Sequence, residues 1–314
     1  MLQQVCPGLA RVPTGFVNVY FIGDPDGRWA VVDSGLPGFA ATIIEKAERR
    51  FGPRSRPEAI FLTHGHFDHA DNAQALADYW GVPIYAHRLE MPYLTGRSDY
   101  PPPDPTVGGA IGLLSRVMPS GGRDLGTRLR ALPSDGTPGA AEQDAGDVPG
   151  MDGWRWLHTP GHAPGHVAFF HREDRVLLAG DAVATVDMGS YIALATSRQE
   201  VATGGAPFIC DWEQYARSLW QVAELEPQTL ACGHGVPLTR GEVADDLKGF
   251  ARQFMPPRNG RYVREPARTD ERGVDSLPPK PADPLPWVLG AGILGTALAL
   301  ALYPRPEPKR KTWW

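Results

Sequence analysis

Seven side chains able to hold a metal ion fall in four short stretches of this 314-residue chain. The densest is THGHFDH at residues 63–69, which packs His64, His66, Asp68 and His69 into six positions. Neutral imidazoles beside a carboxylate form the donor set that a borderline-soft divalent ion such as zinc prefers. His162 lies in TPGHAPGH (159–166), Asp181 ends LLAGD (177–181), and His234 lies in ACGHG (231–235). Each of these three stretches is weak evidence alone. Together they share one arrangement with the first, a donor just past an apolar, strand-like run, and strand ends along one sheet edge converge on one place. Five histidines and two aspartates exceed what one four-coordinate ion uses. They suit two ions about 3.5–4 Å apart, sharing a carboxylate and a water-derived hydroxide, and hydrolysis is the chemistry such a pair performs.

The elements that must position these residues follow from periodicity. Short β-prone runs at 16–22, 29–32, 59–62, 82–86, 154–157, 167–170, 176–178 and 229–231 read as strands. Apolar residues at helical spacing predict helices at 39–51, 69–80 and 212–225, with a shorter one at 110–118. A further helix is expected over 238–254, with Thr239 and Glu242 forming a capping box. Residues 88–150 are rich in Pro and Gly and read as a loop-rich insertion near the site. This gives a catalytic domain at 1–255, a Pro- and charge-rich linker at 256–286, an apolar segment at 287–303 and a basic tail at 304–314.

Composition narrows the function classes. The net charge is -5, with no basic stripe, so no nucleic-acid partner is expected and the substrate is expected to be a small molecule. Cys6, Cys210 and Cys232 are widely spaced, which argues against a disulfide framework or a thiolate zinc knuckle. The opening MLQQVCPGLARVP lacks the pattern of a signal peptide, so the catalytic part is expected in the cytoplasm. The uncharged stretch 287–303 reads either as a C-terminal membrane anchor or as an apolar helix that docks on protein. Oligomeric state has no signature in the sequence.

VVDSG (31–35), THGHFDH, TPGHAPGH, AGD (179–181) and GHG (233–235), in this order and at this spacing, resemble the metallo-β-lactamase superfamily across about residues 10–255. The resemblance implies an α/β fold, a four-layer αββα sandwich. It implies that His64, His66 and His162 hold one ion, that Asp68, His69 and His234 hold the other, and that Asp181 bridges them. Asp33 and His166 would support these ligands. Asp181 stands where many true β-lactamases carry cysteine, and His69 is retained, so the chain looks closer to the glyoxalase II and lactonase branch. The resemblance therefore implies a dinuclear zinc hydrolase attacking an ester, lactone or thioester carbonyl, with Asp68 and Asp181 in the catalytic machinery. A phosphodiesterase or nuclease on the same two metals and a mononuclear-iron sulfur dioxygenase are the alternatives, and a non-enzymatic metal-binding module fits a complete ligand set poorly. A lactonase-like branch often carries a tyrosine after the bridging aspartate, so the resemblance implies Tyr191, ten residues beyond Asp181, as a candidate for the substrate pocket. His87 and His171 have no motif around them and read as surface or strand-edge residues.

Overall fold

A computed structural model describes residues 1–24, 27–135, 144–239 and 241–283. Met1–Pro279 forms one compact unit built on two sheets. The first contains β1 (Gln3–Cys6), β2 (Leu9–Thr14), β3 (Val17–Gly23), β4 (Trp29–Val32), β5 (Ile60–Phe61), β6 (Ile84–Ala86) and β7 (Leu129–Ala131), in that order across the sheet. Its first four strands run antiparallel and β4 to β7 run parallel. The second contains β8 (Ala145–Asp147), β9 (Trp154–His158), β10 (Val167–His171), β11 (Val176–Gly180) and β12 (Thr229–Cys232), antiparallel except for the β11–β12 pair.

The period-two alternation of these strands creates the layers. In β3, Tyr20 and Ile22 enter the core between the sheets, while Val19 and Phe21 face an outer core. In β10, Val167 and Phe169 point between the sheets and Ala168 and Phe170 point outward. Phe61 and Phe169 meet in the middle layer at 5.9 Å between ring centroids. The outer face of the first sheet is covered by α1 (Ala40–Phe51) and α3 (Ala73–Trp80), which follows the single turn α2 (Phe67–Ala70). α3 buries Ala73, Leu76, Ala77 and Trp80, the three- and four-residue spacing of one helix face. Three short elements follow along the chain: α4 (Met91–Leu94), α5 (Gly109–Leu114) and α6 (Tyr191–Thr196). The outer face of the second sheet is covered by α7 (Trp212–Glu224) and α8 (Val243–Gln253), through Leu219, Val222, Ala223, Leu247 and Ala251. This is the αββα sandwich.

Three expectations are corrected. Residues 256–279 are not a linker: Tyr262 is 2% exposed, its hydroxyl donates to the Pro102 carbonyl at 2.8 Å, and β13 (Arg268–Asp270) and β14 (Gly273–Ser276) form a hairpin. Tyr262, Ala267, Cys210, Trp212 and Tyr215 share one apolar cluster, which is what holds this polar-rich stretch. The helix expected from 238 starts only at Val243. Leu238 instead exchanges backbone hydrogen bonds with Leu230 of β12, and Glu242 at the N-cap makes no side-chain cap. His87 is not a surface residue but is 1% exposed, held by Asp144 at 3.0 Å and stacked on His158. His171 sits at the end of β10 beside Asp174. Among the described residues no helix is long and apolar enough to cross a membrane, and segment 287–303 lies outside them.

Candidate metal centre

The sandwich brings the ends of five strands to one edge. β4 ends at Val32 and leads into Asp33, and β5 leads into His64 and His66. The loop from β9 to β10 carries His162, β11 runs into Asp181, and β12 leads to His234. Asp68 and His69 follow on α2, one turn beyond the β5 loop. Gly233 is required here, because a Cβ would collide with the Asp181 carboxylate and the His69 ring.

The donor atoms gather in three overlapping groups, His64–His66–His162, Asp68–His69–His234 and His64–His69–Asp181, each within 4.8 Å. His66 Nδ1 and His162 Nε2 are 3.0 Å apart, close to the roughly 3.3 Å between nitrogens on one tetrahedral zinc with Zn–N of about 2.0–2.1 Å. Asp181 is 2% exposed and stands between the groups. Its Oδ1 is 3.6 Å from His69 Nε2, and its Oδ2 is 3.1 Å from His234 Nε2 and 3.5 Å from His162 Nε2. Asp68 Oδ2 is 3.6 Å from His234 Nε2 and 4.0 Å from His69 Nε2. His64 Nε2, His69 Nε2 and Asp181 Oδ1 are buried without a hydrogen-bond partner. Buried polar atoms left so carry a penalty of about 1–3 kcal/mol each, and divalent ions at this cluster would relieve it.

In His64, His69, His162 and His234 the other ring nitrogen is fixed by the protein, which aims the free one inward. His69 Nδ1 donates to Asp33 Oδ2 at 2.8 Å, His162 Nδ1 to the Gly204 carbonyl at 3.1 Å, and His234 Nδ1 to the Phe16 carbonyl at 3.1 Å. The Thr63 hydroxyl donates to Asp33, so its oxygen accepts from His64 Nδ1 at 3.0 Å. Asp33 also accepts from the Thr63 amide at 2.8 Å, and it adopts a left-handed backbone, with φ of 61°, to reach all three partners. His166 Nε2 accepts from the Asp181 amide at 2.9 Å and its Nδ1 donates to Thr159 Oγ1 at 2.8 Å, so both nitrogens are engaged away from the donor groups. Asp33 thus holds the His69 ring and His166 holds the backbone at Asp181, each from outside the donor groups.

Charge follows the same division. Burial holds His64, His66 and His166 well below the ordinary histidine pKa and His162 down to about 4, with neighbouring imidazoles adding to the effect. His64, His66 and His162 are therefore neutral at neutral pH, as ligation requires. Burial also opposes charge on His69, but the carboxylates of Asp181, Asp33 and Asp68 outweigh it and push its pKa up to about 10. His234 is raised in the same way, mainly by Asp181, and burial of Asp181 is outweighed by His234 and His69, which hold its carboxyl well below the usual range. The second group therefore has a field that attracts positive charge.

The sequence matches the metallo-beta-lactamase superfamily over residues 12–234. The chain belongs to that superfamily. It is a metallo-hydrolase, 38% identical over 254 residues to the probable metallo-hydrolase YflN of Bacillus subtilis (strain 168), a match covering 80% of this chain and 92% of that protein. It is 26% identical over 168 residues to the hydroxyacylglutathione hydrolase GloC of Haemophilus influenzae, covering 52% of this chain and 65% of the relative. Among solved structures it is similar to the BLEG-1 B3 metallo-beta-lactamase, with a TM-score of 0.52 and 25% identity over 76% of this chain and 96% of that one.

Tyr191 is not brought to the cluster: it opens α6, is 63% exposed, and lines neither cavity beside the donor groups. Two residues outside every motif are brought there instead. Glu90, fully buried, accepts from the Gly65 amide at 2.9 Å and the Gly165 amide at 2.7 Å, and from the Tyr100 hydroxyl. It thereby ties the His64–His66 loop to the His162–His166 loop, and the Tyr100 ring packs on His66 at 4.7 Å. Burial raises the Glu90 carboxyl above its usual pKa, and these three hydrogen bonds pull it back. A carboxylate in the apolar run RLEMPYL was the available sequence signal. Glu90→Gln places an amide N–H against one of these donors. It should cost about 2–4 kcal/mol in urea unfolding and, by loosening both loops, about 10–100-fold in zinc affinity measured against a chelator. A variant with unchanged stability and zinc affinity would remove Glu90 from this role.

Proposed function

We propose that the centre holds two zinc ions and hydrolyses an ester, lactone or thioester carbonyl of a small molecule. The observation that supports this reading is the Asp181 carboxylate, whose Oδ2 lies 3.5 Å from His162 of one donor group and 3.1 Å from His234 of the other, while its Oδ1 lies 3.6 Å from His69. His64, His66 and His162 would hold one ion, Asp68, His69 and His234 the other, and Asp181 would serve both. Bound there, the ions supply Lewis-acid polarisation of the carbonyl and lower the pKa of water toward about 7. The protein supplies the rest. Asp68 lines the cavity over the donor groups, and its side chain is 12% exposed against 3% for Asp181, so it can accept a hydrogen bond from water in that cavity and orient it. Phe208 and Tyr100 pack on His66 and keep that side of the cluster dry.

The cavity directly over the cluster is lined by no Lys or Arg among the described residues, which favours an uncharged carbonyl over a phosphodiester. One relative is named a hydroxyacylglutathione hydrolase, a name that denotes hydrolysis of an acylglutathione, which supports a carbonyl substrate. A substrate panel of thioester, lactone, simple ester, β-lactam and phosphodiester, run on zinc-loaded full-length protein, tests the proposal. Carbonyl substrates should exceed phosphodiesters in kcat/KM by at least about 100-fold, equivalent to some 2.7 kcal/mol. Preference for the phosphodiester, or one iron per purified chain with no hydrolysis, would overturn it.

A further inference from the structure

A second cavity of about 260 Å³ opens beside the cluster. Phe16, Ile111, Met118, Met188 and His234 line both this cavity and the one over the donor groups, so the two adjoin. Leu114 of α5 and Leu194 of α6 complete the outer wall. Phe16, at the turn between β2 and β3, marks the junction: its ring stacks on His234 at 5.8 Å and 17°, yet it remains 47% exposed. Among the described residues, Arg11 and His234 are the ionisable side chains on this wall. The Arg11 Nε donates to Asn18 Oδ1 at 2.6 Å and its Nη1 to Gln3 Oε1 at 2.9 Å, which turns those two N–H groups toward residues that do not line the cavity.

Leu114 is 50% exposed and Leu194 is 37% exposed, and because both line this one cavity they present a shared apolar surface to a ligand. Methionine and aromatic walls adapt to a flexible ligand. We propose that this cavity receives an unbranched apolar acyl chain, so that the enzyme selects substrates whose scissile carbonyl carries one. The chain would lie between α5 and α6 with its carbonyl end delivered past Phe16 to the cluster. The volume equals that of some eight or nine water molecules at roughly 30 Å³ each, room for a chain of roughly six to ten carbons. The residues of α5 and part of the wall come from the 88–150 segment, which gives that loop-rich stretch a role in specificity.

This inference rests on the carbonyl-hydrolase reading, and the test separates the two. The zinc-loaded full-length protein is assayed on straight-chain acyl thioesters of N-acetylcysteamine from acetyl to dodecanoyl. Binding of acetate and octanoate is measured in parallel by calorimetry. Wild type, Leu114→Arg and Leu194→Arg are compared, with both substitutions at partly exposed positions that leave the cores intact. The wild-type kcat/KM should rise about three- to four-fold per added methylene and level off once the cavity is full, the increment expected from burying one methylene. Each arginine variant should lose at least about ten-fold more on octanoyl than on acetyl substrate, and octanoate binding should weaken in step. If no thioester is turned over but octanoate binds the wild type and not the variants, the cavity assignment stands and the carbonyl reading falls. If turnover occurs with no dependence on chain length, the cavity assignment falls and the carbonyl reading stands. If the variants change only the sedimentation mass, the apolar wall is an interface between copies, and the acyl-chain proposal is overturned.

Discussion

Asp181→Ala should reduce kcat/KM by on the order of a thousandfold or more, about 4 kcal/mol of transition-state stabilisation, and should lower the bound metal below two per chain. The reason lies in what its carboxylate faces. His69, His162 and His234 each direct a nitrogen at one of its oxygens across 3.1–3.6 Å, and no other carboxylate among the described residues faces both halves of the cluster in this way. On the proposed assignment, removing it would take one ligand from each ion and one negative charge from between them. Asp181→Asn separates charge from shape: it keeps the volume and one oxygen, and it should fall nearly as far because the missing charge is what draws two dications together. Metal content by elemental analysis and turnover on the best substrate of the panel check both variants. Retained activity with two metals in either would remove Asp181 as the bridge.

Asp68→Ala should divide the cluster instead of dissolving it. Asp68 lies near His69 and His234 and outside the group formed by His64, His66 and His162. The variant should keep about one metal per chain and lose about a hundredfold in kcat/KM, some 2.7 kcal/mol. The loss has two sources: the second ion loses its carboxylate, and water in the cavity loses an acceptor. Because Asp68 is the more accessible of the two carboxylates, its replacement by alanine should leave the fold intact, with thermal unfolding of the metal-free protein near that of wild type. Loss of both metals would place Asp68 in a shared role and contradict the division of ligands.

The sequence carried the donor residues so clearly because their chemistry leaves few alternatives. Three histidines and an aspartate in six positions are costly unless they bind something, and the strand runs before His64, Asp181 and His234 were read within a residue or two of β5, β11 and β12. Helices α1, α3 and α7 were legible because each buries one face at regular spacing. What escaped reading depends on contacts distant in sequence. Glu90 has no local pattern, since its partners Gly65 and Gly165 lie on other loops. The packing of 256–279 depends on Tyr262 meeting Pro102, across 160 positions, and polar composition alone mimics a linker. β2 was obscured by Pro13, which the strand tolerates because β1 pairs only as far as Arg11. The lactonase resemblance implies a pocket tyrosine after Asp181, but Tyr191 opens α6 and is 63% exposed.

The dinuclear centre is tested most directly by titrating zinc into chelator-stripped full-length protein while following turnover of an acyl thioester. The geometry of the two donor groups about Asp181 predicts that activity rises and reaches its plateau at two equivalents of zinc per chain, with Asp181→Ala reaching no comparable plateau. A plateau at one equivalent, or full zinc loading with no hydrolysis of any carbonyl substrate, would contradict the account.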